Sequence, residues 1–340
     1  MLALHPSLLS AAAWPRLVER VIRPGFHLTD LPADPGVAPL VLLPGCLDEP
    51  LVAVRSGEGL RVLSNACTHR GHLVATAAGP CKRLRCGYHG RIFDLEGRAL
   101  SSPGFGAVNG QDLPTAGLFT MGPLGFVSGA PAGAPPPWAG ALADRLAGLP
   151  LSEAVAVGGR DYRVRGHFLL WLENFLEGLH IPFVHPALAG ALDLSVYRTD
   201  TYDWGNVQVG MARPGDVHLP LPPDHPDRRG PDEAIAGLYV YLYPLTALNI
   251  YPWGISANAV MPVSPTETVI RYRSFVWAPA LREQGAGAGL STVEEEDDLA
   301  VERTAAGLKG ALSRPGPLSP EEVGVAHLHV LLRAALGEGV

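Results

Sequence analysis

The sequence predicts an α+β protein with two unlike parts, a small all-β domain followed by a domain of mixed helices and strands. Residues 41 to 129 form short, β-branched segments separated by Gly, Pro and Asp, which is typical of strands and hairpins. Later segments such as GLYVYLY and ETVIRYRSFVW alternate like strands, whereas LLWLENFLEGLH has helical spacing. Two helices, over residues 292 to 308 and 319 to 336, are predicted to close the chain, the second starting at SPEE.

Composition excludes several classes of protein. The 340 residues are 47% hydrophobic and 17% charged, as expected of a globular chain rather than a disordered one. The formal net charge of −7 and the scattered Lys and Arg argue against a nucleic-acid surface. No apolar run is long enough for a membrane span, and the N-terminus reads as neither signal peptide nor anchor. We therefore expect a cytoplasmic protein.

Two Pro- and Gly-rich segments interrupt the pattern. The first, GAPAGAPPPWAG over residues 129 to 140, is typical of a linker between domains. The second, residues 214 to 231, is polar, long and broken by prolines. It predicts a surface loop and a candidate lid over a site.

The first metal-binding pattern lies in residues 66 to 93. It contains two close pairs, Cys67-x-His69 and Cys86-x-x-His89, on successive loops. Thiolate and imidazole ligands suit a Rieske [2Fe–2S] cluster, with both Cys on one iron and both His on the other. A Cys₂His₂ zinc site is the alternative. Glycines in both loops, where backbone amides must approach sulfides closely, favour the cluster (Gly71, Gly87 and Gly90).

Three other residues near this pattern are expected to be structural or solvated. Cys81 lies between the two loops, Cys46 lies upstream, and His72 follows the first loop. None has the paired Cys/His spacing that the four proposed ligands share.

The second pattern lies in residues 171 to 186. Asn174, Glu177 and His180 follow a helical stripe, but His185 would point elsewhere on a continuous helix. Pro182 predicts that the helix ends near His180 and that the chain bends to bring His185 back. Two histidines with one carboxylate would form a facial triad for iron(II) with open coordination positions. The acidic run at residues 293 to 303 is the best source of the carboxylate. The alternative is that these acids are exposed to solvent and only stabilise the start of a helix.

Both patterns resemble the Rieske non-haem iron oxygenases. CTHRG and CGYHG are similar to the family's cluster motifs, NFLEGLHIPFVH fits its iron-binding motif, and EDDLAVERTAAGL resembles its later acidic motif. One departure is Arg91, where many members carry Trp. We expect this change to affect only cluster packing or subunit contacts.

The resemblance covers about residues 25 to 335 and implies a domain plan. Residues 1–24 would be an N-terminal extension, and residues 25–135 an all-β Rieske [2Fe–2S] domain. Residues 136–340 would form an α+β helix-grip catalytic domain, with an antiparallel sheet and a long C-terminal helix.

The resemblance also implies roles for the site residues. Cys67, His69, Cys86 and His89 would bind the [2Fe–2S] cluster, and His180, His185 and Asp297 the mononuclear Fe(2+). Asp298 is the runner-up for the third ligand, and Glu296 also competes.

The expected partners follow from the same resemblance. A ferredoxin or flavin reductase would supply electrons for O₂ reduction in a homotrimer. Glu177 would bridge a cluster histidine of one subunit and an iron histidine of the next, and Asn174 would help to orient this region.

The resemblance and an aromatic strand also indicate a class of substrate. Glu177, where ring-dihydroxylating members use Asp, resembles the subgroup that hydroxylates or demethylates quaternary amines. Tyr239, Tyr241 and Tyr243 alternate on one strand face and are a candidate cation cage, or simply a hydrophobic face. The segment NIYPWG at residues 249 to 254 is a further candidate for lining the pocket. The alternatives are an aromatic-ring-hydroxylating oxygenase and a Rieske electron carrier with a non-catalytic binding domain.

Overall fold

The computed structural model describes residues 6–314 and 316–337. Residues 1–5 of the predicted N-terminal extension and the last three residues of the chain lie outside this description. The chain forms two compact units. The β unit is Arg23–Thr120 with Leu124–Pro136, and the α+β unit holds the described residues of Met1–Ile22, Met121–Pro123 and Pro137–Val340.

Three small antiparallel sheets build the β unit, with strand orders β1-β9-β8, β2-β3-β4 and β5-β6-β7. The strands are β1 (His27–Leu28), β2 (Gly36–Leu42), β3 (Glu49–Ser56), β4 (Gly59–Ser64), β5 (Leu84–Arg85), β6 (Ile92–Phe93), β7 (Ala99–Ser101), β8 (Ala116–Met121) and β9 (Leu124–Pro131). The strands predicted within residues 51 to 66 and 90 to 100 are confirmed. β9 also extends into the predicted linker, which is irregular only beyond Pro131.

The core of the β unit holds the two motif cysteines in place. Val52, Leu63 and Phe93 are fully buried in one apolar cluster that also contains Cys67 and Cys86. Burial of such side chains contributes roughly 1.5–3 kcal/mol each. The cysteine loops are therefore anchored by the same core that stabilises the hairpins.

A seven-stranded antiparallel sheet forms the α+β unit, in the order β10-β16-β15-β14-β13-β12-β11. The strands are β10 (Val155–Val164), β11 (Leu192–Tyr202), β12 (Gly205–Ala212), β13 (Ile235–Leu242), β14 (Thr246–Tyr251), β15 (Gly254–Ser264) and β16 (Glu267–Val276). Strands β12 to β15 are buried along almost their whole length, so both faces of the central sheet are covered.

Seven α-helices accompany this sheet in the described part of the unit. They are α1 (Trp14–Leu17), α2 (Ala139–Leu146), α3 (Phe168–Phe175), α4 (Ile181–Val184), α5 (Pro186–Ala191), α6 (Leu290–Leu308) and α7 (Val323–Leu336). α3 packs on α6 and α7. None of the described helices is long and apolar enough to cross a membrane.

The two closing helices are confirmed, with one shifted start. α6 begins two residues before the predicted residue 292 and ends at the predicted position. α7 begins at Val323 rather than residue 319. The SPEE segment forms a turn instead, in which Ser319 N–H donates to the Glu322 carboxylate and Ser319 Oγ accepts from Glu321 N–H at 3.3 Å.

The predicted helix through His180 is wrong, because α3 ends at Phe175. Gln208 Nε2 donates to the Phe175 carbonyl at 2.6 Å, which satisfies a helix-end acceptor. Just beyond, a Cβ on Gly178 would lie 2.9 Å from the Tyr197 ring, so only glycine permits this close approach. Pro182 then lies in the first turn of α4, where its missing N–H costs little.

The Pro-rich segment 214 to 231 has no helix or strand, as predicted, but it is not a free surface loop. His225 and Asp227 are 3% and 2% exposed. The Asp227 carboxylate lies 3.4 Å from the Arg145 guanidinium of α2, and His225 Nε2 lies 3.2 Å from the Arg145 carbonyl. A buried polar contact therefore anchors the segment, and its role as a lid stays a prediction.

Candidate metal centres

The two Cys/His loops of the β unit share one backbone pattern. In each loop the cysteine N–H donates to the carbonyl five residues later, at 2.9 and 2.8 Å, and the cysteine carbonyl accepts from a glycine four residues later, at 2.8 and 3.1 Å. Both glycines have positive φ, 74° and 72°, which favours glycine at these positions. The residues are Cys67, Gly71 and His72 in the first loop and Cys86, Gly90 and Arg91 in the second.

The four predicted cluster ligands converge. The Cys67 and Cys86 thiols are buried and within hydrogen-bonding reach of each other, and the His69 and His89 rings are 4.6 Å apart between centroids. His69 Nδ1 is buried and has no hydrogen-bond partner among the described residues. Two sulfur donors beside two nitrogen donors, one of them buried and unpartnered, fit a Rieske [2Fe–2S] cluster.

The electrostatics of the loops favour thiolate at Cys86. Burial raises the pKa of this thiol, but backbone hydrogen bonds from Tyr88 and His89 oppose that effect. The neighbouring Cys67 thiol and the positive charge of Arg91 lower the pKa further, so it lies below that of an ordinary cysteine. A lowered pKa favours the thiolate form, which is the form that binds metal.

The remaining residues near this pattern have structural contacts. The Cys81 thiol donates to the Arg83 carbonyl at 3.0 Å, and burial raises the pKa of Cys46 to about 11, so that thiol stays protonated at neutral pH. Exposed His72 lies 5.7 Å from the Tyr88 ring between centroids. Arg91 is 1% exposed. Of the two effects expected of Arg91, this burial supports cluster packing.

The second centre brings His180, His185 and Asp297 together. One ligand atom of each residue lies within 4.8 Å of the other two. Asp297 Oδ1 is 2.9 Å from His185 Nε2 and 3.6 Å from His180 Nε2. The histidines flank the short helix α4, and Asp297 projects from α6. Two imidazoles and one carboxylate at this spacing fit the facial triad of a mononuclear iron(II).

A set of polar side chains orients the three predicted iron ligands. Glu177 Oε1 lies 2.5 Å from His180 Nδ1, and Glu296 Oε2 lies 2.7 Å from His185 Nδ1. Asn174 Nδ2 donates to Asp297 Oδ1 at 2.6 Å. Carboxylates on both Nδ1 atoms leave both Nε2 atoms free to face a metal, as in many metal sites.

Negative charge surrounds the buried histidine of this centre. Burial alone lowers the pKa of His185, but hydrogen bonds with Asp297 and Glu296 outweigh it and raise the pKa above its ordinary value. A bound divalent cation would relieve this accumulation of carboxylates.

The runner-up ligand, Asp298, lies elsewhere. It was expected to face solvent or the helix N-terminus, and this is wrong: it is 9% exposed and accepts a hydrogen bond from Trp171 Nε1 at 3.2 Å. Burial, with Asp297 beside it, raises the pKa of Asp298 to about 7. Consecutive helical residues point about 100° apart, so Asp298 turns into the core while Asp297 faces the histidines.

A small cavity of about 50 Å³ opens beside the three predicted ligands. Tyr197, Tyr239 and Tyr251 line it, together with Phe175 and Asn249. The predicted tyrosine row contributes only Tyr239, because Tyr241 and Tyr243 do not reach the cavity. Of residues 249 to 254, Asn249 and Tyr251 line this cavity, and that they line the substrate pocket stays a prediction.

Sequence reasoning missed two features of this centre. Glu296 was considered only as a ligand, and its contact with His185 Nδ1 could have been suspected from its place beside Asp297. Tyr197 gave no signal, because β11 reaches the cavity only through the order of strands in the sheet.

Comparison with known families matches both units. Residues 43–113 match the family model of the Rieske [2Fe-2S] domain. Residues 170–338 match that of the ring hydroxylating alpha subunit (catalytic domain). This second match excludes the alternative of an electron carrier with a non-catalytic binding domain.

Characterised relatives cover most of the chain at low identity. Choline monooxygenase of Arabidopsis thaliana is 24% identical over 312 residues, 84% of this chain and 71% of the relative. Putrescine 2-hydroxylase of Ralstonia nicotianae is 26% identical over 309 residues, covering 84% and 82% of the two chains. The carnitine monooxygenase oxygenase subunit of Escherichia coli is 25% identical over 310 residues, covering 84% and 80%. The chain spans only 65% of the length of the Beta vulgaris choline monooxygenase.

Solved structures share the fold. A quaternary ammonium Rieske monooxygenase, CntA, superposes with a TM-score of 0.75 at 16% identity, covering 98% of this chain and 95% of its own. Naphthalene 1,2-dioxygenase from Rhodococcus sp. gives 0.69 at 16% identity, covering 98% and 94%. With both family models matched in order, the chain belongs to the Rieske non-haem iron oxygenases, as a catalytic α subunit with a [2Fe–2S] cluster and a mononuclear iron(II).

Proposed function

We propose that this chain is the terminal oxygenase component that hydroxylates, or oxidatively demethylates, a small cationic amine. A quaternary ammonium compound is the first candidate substrate. Electrons would come from a separate ferredoxin or flavin reductase, and O₂ is the oxidant. Residues 25–135 would hold the cluster, and residues 136–340 the catalytic iron.

The ligand assignment is part of this proposal. Cys67, His69, Cys86 and His89 bind the cluster, whereas His180, His185 and Asp297 bind the iron. Two thiols and two imidazoles lie together in the β unit, and two imidazoles lie with one carboxylate in the α+β unit. These donor sets support this division. When bound, the cluster supplies single electrons, and the iron supplies the chemistry of O₂ reduction.

The observation that carries the substrate class is the tyrosine-lined cavity beside the iron ligands. The rings of Tyr197 and Tyr239 are 6.2 Å apart between centroids, and those of Tyr239 and Tyr251 are 6.0 Å apart and nearly perpendicular. No Lys or Arg is among the described residues that line this cavity. Aromatic faces without a competing cation suit an ammonium group.

The activities for which the relatives are named agree with a cationic substrate. Choline, carnitine and putrescine, on which those proteins act, all carry an ammonium group. The fold likeness to naphthalene dioxygenase extends to architecture only, and no feature of the cavity favours an aromatic hydrocarbon.

The surrounding polar residues would position the reaction rather than perform it. Asn174 holds the Asp297 carboxylate, and Glu296 fixes the His185 ring with Nε2 directed toward the other two proposed iron ligands. Glu177 holds the His180 ring in the same way. Fixed rings and a fixed carboxylate keep the open side of the triad directed at the cavity.

We also propose that the chain works as a homotrimer with Glu177 at the boundary between subunits. Glu177 Oε1 contacts His180 Nδ1, Glu177 Oε2 accepts the backbone N–H groups of Leu179 and His180, and the residue is only partly buried. Glu177→Gln should keep both metals and slow turnover severely, because it removes the charged group that tethers the imidazole. Wild-type turnover in that variant, or a fully active monomer, would contradict the bridge.

Substrate-dependent O₂ consumption by the iron-loaded protein with a surrogate reductase tests the proposed function. Choline, glycine betaine and carnitine are compared with aromatic acids and with 3,3-dimethylbutan-1-ol, the uncharged carbon analogue of choline. We expect a cation to support coupled product formation while the uncharged analogue does not. Coupled oxidation of an aromatic acid alone would overturn the substrate class.

A pair of cavity variants sharpens that test. Tyr239→Leu removes a ring that lines the cavity and should raise the KM for the cation by roughly 2- to 30-fold, from cation–π energies of about 0.5–2 kcal/mol. Tyr243→Leu, in the same stretch but outside the cavity, is the control and should leave KM unchanged. Equal effects in both variants would point to general destabilisation.

A further inference from the structure

Arg91 occupies an unusual place in the β unit. It follows the second cluster loop directly, where many members of the family carry Trp, and its side chain is 1% exposed. Its carbonyl accepts the Cys86 N–H at 2.8 Å, so its backbone belongs to the turn that presents Cys86. The guanidinium is therefore buried beside a proposed cluster ligand.

The same guanidinium also reaches the first cluster loop. It donates to Thr68 Oγ1 at 3.1 Å, and Thr68 lies between the proposed ligands Cys67 and His69. Its Nε donates to Ser102 Oγ at 3.3 Å, which holds the group from the other side. One buried cation is thus fixed by hydrogen bonds between the two loops.

An aromatic contact brings the charge close to the histidine side as well. The guanidinium carbon lies 5.3 Å from the centroid of the Phe105 ring. That ring lies 4.8 Å from the His69 ring between centroids, in an edge-to-face arrangement. Phe105 covers the guanidinium and contacts a proposed ligand.

No carboxylate in the described part of the chain forms an ion pair with this cation. Among the described residues, the side-chain contacts of Arg91 are with the neutral groups of Thr68, Ser102 and Phe105. Burying an unpaired charge is costly, so an anionic neighbour is expected. The two loops that Arg91 links carry the proposed cluster ligands Cys67 and Cys86.

We propose that Arg91 raises the reduction potential of the [2Fe–2S] cluster held by these loops. Reduction adds one negative charge to the cluster, and a buried cation stabilises that charge where water screens it poorly. Arg91 would then act on the cluster through its charge, without being a ligand. It would favour electron transfer from the reductase to the cluster. The inference rests on the proposed cluster ligands.

A redox titration of the cluster, followed by visible absorbance and EPR, tests the inference. Arg91→Trp carries the family's frequent residue without charge, and Arg91→Gln is a second neutral variant in case Trp does not fit. Arg91→Lys keeps the charge. Arg85→Gln is the matched control, because Arg85 precedes Cys86 on the same loop but is exposed to solvent.

We expect the reduced-to-oxidised ratio at a fixed potential to fall at least about tenfold in a neutral variant, which is about 59 mV for a one-electron couple. Arg91→Lys should keep most of the wild-type potential. Arg85→Gln should change it little, since solvent and salt screen an exposed charge.

The outcomes separate the inference from the ligand assignment. Absence of a Rieske spectrum in the wild-type protein would overturn the proposed cluster ligands. A normal spectrum with the wild-type potential in Arg91→Trp or Arg91→Gln would overturn the role of Arg91 alone. A fall in Arg91→Lys as large as in the neutral variants would also overturn it.

Discussion

The two metal centres of this chain are built in opposite ways. All four proposed cluster ligands lie between Cys67 and His89, on two loops with the same backbone hydrogen bonds. The third proposed iron ligand, Asp297, is 112 residues from His185 and reaches it only because α6 packs against the helices of the site. A local motif can therefore define the first centre, whereas the second depends on the whole α+β fold.

Their electrostatics are opposite as well. The cluster loops enclose a buried cation, Arg91, and none of the described carboxylates pairs with it. The iron centre surrounds its two histidines with three carboxylates, from Glu177, Glu296 and Asp297. A cluster that becomes more negative on reduction suits the first environment, and a divalent cation suits the second.

The largest expected effect is on the locally encoded centre. Cys86→Ser should abolish the visible and EPR signals of the reduced cluster while the fold of the α+β unit persists, because it removes a buried sulfur ligand. Cys81→Ser is the control, since that thiol donates to the Arg83 carbonyl and is not a proposed ligand. An unchanged Rieske spectrum in Cys86→Ser would refute the cluster assignment.

The next effect separates the long-range centre from the local one. Asp297→Ala should lose mononuclear iron and substrate-dependent O₂ uptake while its Rieske spectrum survives. The loss of activity should exceed the roughly 10- to 100-fold typical of mutating outer partners of a metal site. Asp298→Asn should keep part of the activity, because Asp298 contacts Trp171 rather than the histidines. The reverse pattern would move the ligand by one residue.

How well each centre could be predicted follows from the same contrast. The cluster loops could be proposed from the sequence, because the proposed ligands and the glycines lie within one short segment. The proposed iron histidines come from their motif, but the prediction that the helix runs to His180 was wrong, because α3 ends at Phe175. The helix ends at Phe175, whose carbonyl accepts from Gln208 of a distant strand, and Gly178 beyond it packs closely against Tyr197.

The other wrong predictions depended on tertiary packing, which a single sequence does not show. Periodicity placed Tyr239, Tyr241 and Tyr243 on one face but could not show that the cavity ends at Tyr239. The burial of Arg91 could not be predicted, because a single sequence does not show which side chains are buried. The start of α7 moved because Ser319 and Glu322 close a turn on themselves before the helix begins.

A smaller effect is expected from the partner of His185. Glu296→Gln should weaken iron binding by about 10- to 100-fold, because it removes the carboxylate that orients the imidazole through Nδ1. Titration of apoprotein with iron(II) under anaerobic conditions measures this change. Glu295→Gln, on the neighbouring exposed position, should bind iron like the wild type.

The smallest effect concerns stability rather than metal. Burial, together with Asp298, raises the pKa of Glu294 to about 8 from an ordinary value of 4.5. Between about pH 5 and pH 8 the folded chain keeps a proton that the unfolded chain has lost, so this residue lowers the free energy of unfolding as pH rises.

Thermal unfolding of Glu294→Gln checks that sign. Relative to the wild type, the variant's Tm should rise as the pH is increased from 5 to 8, because an amide has no proton to lose. Glu295→Gln again serves as the exposed control. A constant difference in Tm across this range would show that Glu294 titrates normally in the folded protein.

Iron and acid-labile sulfide, measured together in three proteins, test most directly that one chain holds two independent centres. A [2Fe–2S] cluster has equal iron and sulfide, so the wild-type chain should contain more iron than sulfide. Asp297→Ala should contain equal amounts, and Cys86→Ser should keep iron without sulfide. Equal iron and sulfide in the reconstituted wild type, or loss of both metals in either variant, would contradict the division of ligands between the two centres.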